Sequence, residues 1–348
     1  MILNASGCLD ALAAPNVARS FDAFVTKTVT PEPREGNERP RIAETDQGML
    51  NSIGLQNPGI KRFLSDVLPH LRELGVPLWV SVGGFSAADY AEICAQMSDV
   101  TIELNLSCPN VDEAPESVAE IVAASRAATA LPLYAKLSPQ LPDIAEAARA
   151  VEAAGADGLS LVNTLRGLAL DERTLQPRLG RGPGGLSGPV LRPIALAAVY
   201  ACRRATSLPI VGMGGVWNGR DALELIAAGA SSVALGTVLF SDPSAPHRVR
   251  RELHSAAEAV RLSDPWSAVG ISHEPVLSGE TTEKCLHFSR IECSRQAVSI
   301  TRRGVREDSG PGAGPVSRPT DGGAQARQRH PSQEGAAEAR PQGRPGQD

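Results

Sequence analysis

A thiol, two amides and a hydroxyl stand together in Asn105-Leu106-Ser107-Cys108-Pro109-Asn110. The run before them, Val100-Thr101-Ile102-Glu103-Leu104, alternates as a strand does, then breaks into polar side chains and a proline. A packing cysteine belongs inside the apolar run, where free cysteine behaves as a small buried hydrophobe. Cys108 comes just past it, at the strand end where α/β enzymes place their chemistry. Catalysis by such a thiol requires its thiolate, which neighbouring lysines favour. An ordinary loop cysteine fits the same spacing, and the motif alone does not separate the two readings.

Eight short apolar runs must position these groups: Met1–Ala5, Ala23–Thr26, Leu78–Val82, Thr101–Leu106, Leu131–Leu137, Asp157–Val162, Pro209–Val211 and Ser232–Leu235. Amphipathic stretches lie between most of them, among them Ile144–Ala154, Val190–Arg204 and Gly219–Ala228. Strands alternating with helices predict a parallel sheet buried on both faces. Eight such units predict an α/β fold of the (β/α)8 TIM-barrel type over residues 1 to about 274. A doubly wound sheet is the competing arrangement, but no dinucleotide fingerprint follows the first run.

In a barrel the strand ends converge on one rim. The first run ends in Ser6-Gly7, the second in Lys27-Thr28, the fifth in Lys136-Leu137-Ser138 and the sixth in Asn163-Thr164. A lysine facing a barrel mouth is costly without an anionic partner, so two of them point to an anionic ligand. Gly212-Met213-Gly214-Gly215 and Gly236-Thr237 close the seventh and eighth runs, where this fold cradles phosphate on main-chain N–H groups. Tight turns would also use these glycines. Gly184-Gly185-Leu186-Ser187-Gly188 adds a third donor-rich loop. Together they imply a phosphorylated cofactor or substrate, and Lys136 would suit a ring that gains negative charge on reduction. The connection of about fifty residues after Lys27 is long enough to be functional. Within it, Asn51-Ser52-Ile53-Gly54-Leu55-Gln56-Asn57 offers amides and a hydroxyl to a small planar ligand bearing carbonyls and a carboxylate; a structural turn cluster is the alternative.

Composition narrows the classes. The 348 residues are 42% hydrophobic with a net charge of −5, which gives no support to nucleic-acid or anionic-membrane binding. Six scattered cysteines without CxxC pairs argue against a metal site or iron–sulfur centre and against a disulfide scaffold. No run approaches the ~18 apolar residues of a membrane span, and the N-terminus lacks a signal peptide's basic region, so a cytoplasmic location is expected.

Lys27-Thr28, the segment Asn51 to Gly59, the Cys108 motif, the loop Gly184 to Gly188 and Gly212-Met213-Gly214-Gly215 together resemble class 1 dihydroorotate dehydrogenases. Cysteine in the fourth-strand motif is similar to class 1, where class 2 carries serine. Gln56 and the Gly-Gly-Leu-Ser-Gly loop resemble the class 1B catalytic subunit, and the likeness runs from Met1 to about Glu274. The resemblance implies FMN-dependent oxidation of dihydroorotate to orotate in pyrimidine synthesis. It also implies electron transfer to a separate FAD and iron–sulfur partner subunit and on to NAD, in a homodimer within a heterotetramer. It assigns Cys108 as the catalytic base. Lys27, Asn51, Ser52, Ile53, Gly54, Leu55, Asn105, Asn163 and Thr164 would hold the substrate. Ser6, Lys27, Thr28, Asn105, Lys136, Val162, Gly188, Gly214, Gly215, Gly236 and Thr237 would hold FMN.

Three departures from that pattern stand out. Met1 begins almost at the first strand, where the family has a preceding β segment that plugs the barrel floor. Ser81 stands where asparagine is common, which is expected to weaken one flavin contact. The segment after Asn110 is short for a substrate lid, which bears on closure. Two other readings remain open: a barrel flavoenzyme acting on a pyrimidine-like ring, resembling dihydropyrimidine dehydrogenase, and a non-catalytic descendant. Residues 275–348 form an atypical tail outside the resemblance. From residue 304 it holds nine glycines and six prolines in 45 residues and no aromatic, which predicts disorder.

Overall fold

Strands buried on both faces must satisfy their main-chain groups sideways, and the eight apolar runs do so as one parallel sheet. The computed structural model describes residues 1–46, 48–106 and 117–274. Its strands, in chain order, are β1 (Ile2–Asn4), β2 (Phe24–Val25), β3 (Ile42–Thr45), β4 (Gly48–Asn51), β5 (Leu78–Val82), β6 (Thr101–Asn105), β7 (Leu133–Leu137), β8 (Gly158–Leu161), β9 (Leu165–Gly167), β10 (Gly184–Ser187), β11 (Ile210–Met213) and β12 (Ser232–Leu235). The order β1-β12-β11-β8-β7-β6-β5-β2 is parallel throughout. Its two ends meet at a single Leu3–Ala23 bridge, which gives the expected eight-stranded barrel.

Two side chains reinforce that seam: Asp22 accepts the Ile2 N–H at 2.7 Å, and Asn4 bonds Val25. Asn4 is fully buried, and its amide receives the Val25 N–H at 2.8 Å and donates to the Val25 carbonyl at 2.7 Å. It thus replaces the main-chain pair that the short β2 does not supply.

Helices cover the outside, and their starts follow from capping chemistry. Ser117 and Glu120 form a capping box at Val118–Ala128, Asp143 caps Ile144–Ala153, and Asn218 with Asp221 caps Gly219–Ala228. The outer core between sheet and helices includes Ile102, Leu104, Leu159 and Val233. Inside the barrel, Leu3, Val25, Trp79, Val211, Met213 and Ala234 pack with Tyr134 below the rim. The Trp79 and Tyr134 rings lie 4.4 Å apart, and Gly158 leaves the room they need.

The sequence reading missed one layer. The excursion after β2 and the excursion after β8 pair into a four-stranded antiparallel sheet, β3-β4-β10-β9, with Asn51 opposite Gly185 and Leu50 opposite Leu186. All four are short, and β4, β9 and β10 carry glycine, so their composition reads as loop. Among the described residues, no helix is long and apolar enough to cross a membrane.

Candidate active site

The C-terminal ends of the barrel strands and the antiparallel sheet enclose a cavity of about 670 Å³. Such a volume suits a cofactor-sized ligand. Its wall includes the substrate candidates Lys27, Asn51, Ser52, Ile53, Gly54, Leu55, Asn105, Asn163 and Thr164. Ser6, Thr28, Lys136, Val162, Gly188, Gly214, Gly215, Gly236 and Thr237, the FMN candidates, line the same space. Cys108 and the short segment after Asn110 lie outside the described residues, as does the tail from residue 275.

A chain of polar side chains fixes the rim. Thr28 Oγ1 lies 2.9 Å from Ser81 Oγ and 3.4 Å from Ser6 Oγ, and accepts from Asn105 Nδ2 at 3.2 Å. Asn105 Oδ1 in turn accepts from Asn163 Nδ2 at 3.0 Å, and Asn163 Oδ1 accepts the Thr164 N–H at 2.8 Å. Each amide therefore has one defined orientation, set by residues on five different strands or strand ends. Ser81 is fully buried beneath Thr28 and absent from the cavity wall, so its hydroxyl supports Thr28 from below.

The roof is tied to the same system. Asn51 donates to the Gly185 carbonyl at 3.2 Å. Asn37, which sequence reasoning passed over, donates to Ser52 Oγ at 2.8 Å and accepts from Arg181 at 3.2 Å. Its neighbour across the turn must be glycine, because a Cβ on Gly54 would fall 2.5 Å from the Asn37 nitrogen.

Among the described lining residues are four cationic side chains, Lys27, Lys136, Arg166 and Arg181, and no carboxylate. Lys136 is buried and pairs with Glu103 at 3.3 Å. Burial, together with the like charge of Lys136, holds the Lys27 ammonium below its ordinary pKa even though Cys8 works the other way. Burial also pushes the Cys8 thiol up, against the pull of both lysines. Cys8 is thus a protonated, weakly nucleophilic wall residue at neutral pH.

The glycines that follow β11 lie in a turn on the cavity wall, and Gly236 follows β12 beside them. Gly214 and Gly215 have φ of +122° and +77°, and a Cβ on Gly215 would approach the Arg192 nitrogen within 2.8 Å. Both positions therefore call for glycine, by their backbone conformation and by their close approach to the chain behind them. Asp221 secures the turn by accepting the N–H groups of Trp217 and Asn218 and pairing with Arg192. The cavity's glycine cradle, cationic wall and size fit a flavin mononucleotide. Among the described residues, no group of three or more His, Cys, Asp or Glu is placed to hold a metal ion.

Comparison with known proteins gives a consistent picture. The family described as dihydroorotate dehydrogenase matches residues 1–256. The dihydroorotate dehydrogenase B (NAD(+)) catalytic subunit of Latilactobacillus sakei is 46% identical over 281 residues, covering 76% of this chain and 91% of that protein. Its namesake from Listeria monocytogenes serovar 1/2a is 41% identical over 278 residues, covering 75% and 91%. The crystal structure of a ligand-free dihydroorotate dehydrogenase from Eimeria tenella superposes with a TM-score of 0.65 at 22% identity, covering 78% of this chain and 89% of that one, a likeness of fold.

Proposed function

The chain belongs to the dihydroorotate dehydrogenase family, and on that footing we propose that it is the catalytic subunit of an NAD-linked enzyme oxidising dihydroorotate to orotate for pyrimidine synthesis. The observation that carries the reading is a cavity wall that joins the Gly214–Gly215 turn to Lys27, whose ammonium has no carboxylate at ion-pair distance among the described residues. Such a wall selects a ligand pair that is anionic twice over, through a phosphate and a carboxylate.

Gly214, Gly215, Gly236 and Thr237 would hold the FMN phosphate, with Ser6, Thr28, Val162, Gly188 and Lys136 along the cofactor. When bound, FMN would supply the acceptor for the hydride that leaves C6 of the substrate. In this reading the Lys27 ammonium on the cavity wall serves both ligands. Asn51, Asn105 and Asn163 present donors and acceptors to the substrate's amide and carboxylate edges, with Ser52 to Leu55 and Thr164 beside them. Because Asn105 and Asn163 are locked by each other and Asn51 by the Gly185 carbonyl, the amides orient the ring without reorganising. In this reading Cys108 Sγ takes the proton from C5 as the C6 hydride leaves, so that the C5–C6 single bond becomes double.

Electrons would leave through a separate FAD and iron–sulfur subunit, with this chain forming a homodimer inside a heterotetramer. A cytoplasmic setting accords with that chemistry.

An anaerobic absorbance titration tests the proposal. Purified protein should carry equimolar FMN, bleach on addition of dihydroorotate and resist competition by uracil. Cys108→Ala should keep its flavin and lose bleaching rate by orders of magnitude. A protein that binds no flavin, or is bleached by dihydrouracil instead, would sink the assignment.

A further inference from the structure

Glu103 is a buried acid in the barrel whose chemistry the proposed function leaves unused. On β6 it lies two residues before Asn105, so it shares that residue's inward face one layer deeper. Its side chain is 1% exposed, and its Oε1 lies 3.3 Å from Lys136 Nζ, itself 6% exposed. An acid buried this deeply persists only with a partner, and removing either member leaves an uncompensated charge in a low dielectric. Lys27, by contrast, has no carboxylate within ion-pair distance among the described residues. The two cavity ammoniums are therefore unequal: one is offset from below and the other is not.

We propose that Glu103 is a positioning residue that fixes the Lys136 ammonium at the rim and offsets its charge, thereby keeping the potential of the bound flavin low. The inference rests on the reading that FMN occupies this cavity beside Lys136. Two-electron reduction leaves negative charge on a flavin, so each uncompensated cation nearby favours the reduced form. A carboxylate that cancels one cation shifts the balance back toward the oxidised form. That direction suits a flavin whose electrons must pass on to an acceptor at the level of a nicotinamide. A flavin flanked by two bare ammoniums would retain them more strongly.

The test is the midpoint potential of the holoenzyme, read against reference dyes by absorbance under anaerobic conditions. Glu103→Gln keeps the shape and removes the charge. Its ratio of reduced to oxidised flavin at a fixed dye potential should rise at least about tenfold, equivalent to a positive shift of about 30 mV for a two-electron couple. Lys136→Met, which strands the acid, should move the ratio at least about tenfold the other way. The double variant E103Q/K136M should return to within roughly threefold of the wild type, since both states carry no net charge at the pair.

A fully flavinated E103Q with an unchanged or lower potential would overturn the inference. Should E103Q fail to hold flavin, the comparison of K136M with the double variant decides it: equal potentials in those two would show that the acid offsets nothing. Failure of the broader assignment looks different. There the wild type itself would lack FMN or ignore dihydroorotate before any variant is made.

Discussion

Replacing Lys27 by methionine should separate what this residue costs the fold from what it does for ligands. The ammonium is held in a largely desolvated place beside a second lysine, with only a thiol to favour its charge. Lys27→Met keeps the apolar stem and removes that burden, so ligand-free protein should gain on the order of 1 kcal/mol, a rise in melting temperature of about 2–4 °C for a barrel of this size. Binding should go the other way. Removing one partner of a desolvated charge pair costs about 2–5 kcal/mol, so orotate affinity should fall by roughly 30-fold to several thousand-fold. The pH dependence has a definite sign. Lys27's pKa is depressed in the folded chain, so from that value up to the ordinary 10.5 the unfolded chain binds more protons. Stability of the ligand-free protein therefore rises with pH across that window, and the variant should lack the rise. Orotate affinity in the wild type should decline as pH climbs through the same depressed value, because the ammonium is what the anion needs. Calorimetric titration with orotate and thermal unfolding over alkaline pH read both effects. A variant less stable than the wild type that binds orotate within about threefold of it would refute the reasoning.

The barrel seam is equally testable. Asn4→Leu strands the buried N–H and carbonyl of Val25, at about 1–3 kcal/mol each, and urea unfolding should show a loss of about 2–6 kcal/mol; a loss well under that range would mean the seam closes without the amide. At Gly158 an added Cβ would sit 2.2 Å from the Tyr134 ring. Gly158→Ala should therefore cost about 1–3 kcal/mol or more and alter the near-ultraviolet dichroism of the Trp79–Tyr134 pair, and an unchanged spectrum with unchanged stability would contradict the packing described.

The barrel strands were legible because burial on both faces forces continuous apolar runs, and each run ends where the polar rim begins. Asn105, Lys136 and Asn163 could be singled out for that reason: each stands within one residue of the end of its apolar stretch. The roof was not legible. Gly48–Asn51 and Gly184–Ser187 carry few β-branched residues, and their pairing joins segments with no local signal for each other. Asn4 and Glu103 escaped for a different reason. In Ile2-Leu3-Asn4 and Thr101-Ile102-Glu103-Leu104 a single polar residue reads as the solvent side of an alternating strand. In a sheet covered on both faces there is no solvent side, so a lone polar residue within such a run signals a buried partner. Asn37 had no signal, since its role depends on Ser52 and Arg181 arriving from other segments.

The ligand chamber's ceiling is stitched from two excursions, with Asn51 bonded to a carbonyl 134 residues further along. A nascent chain emerging from the ribosome therefore lays down the first half of that ceiling long before its counterpart exists. Contacts of such separation form late, after shorter-range pairings have repaid their closure entropy. The barrel seam spans still more chain, with Ile2 facing Val233, so walls and ceiling alike wait for residues far downstream before a nucleotide can be enclosed.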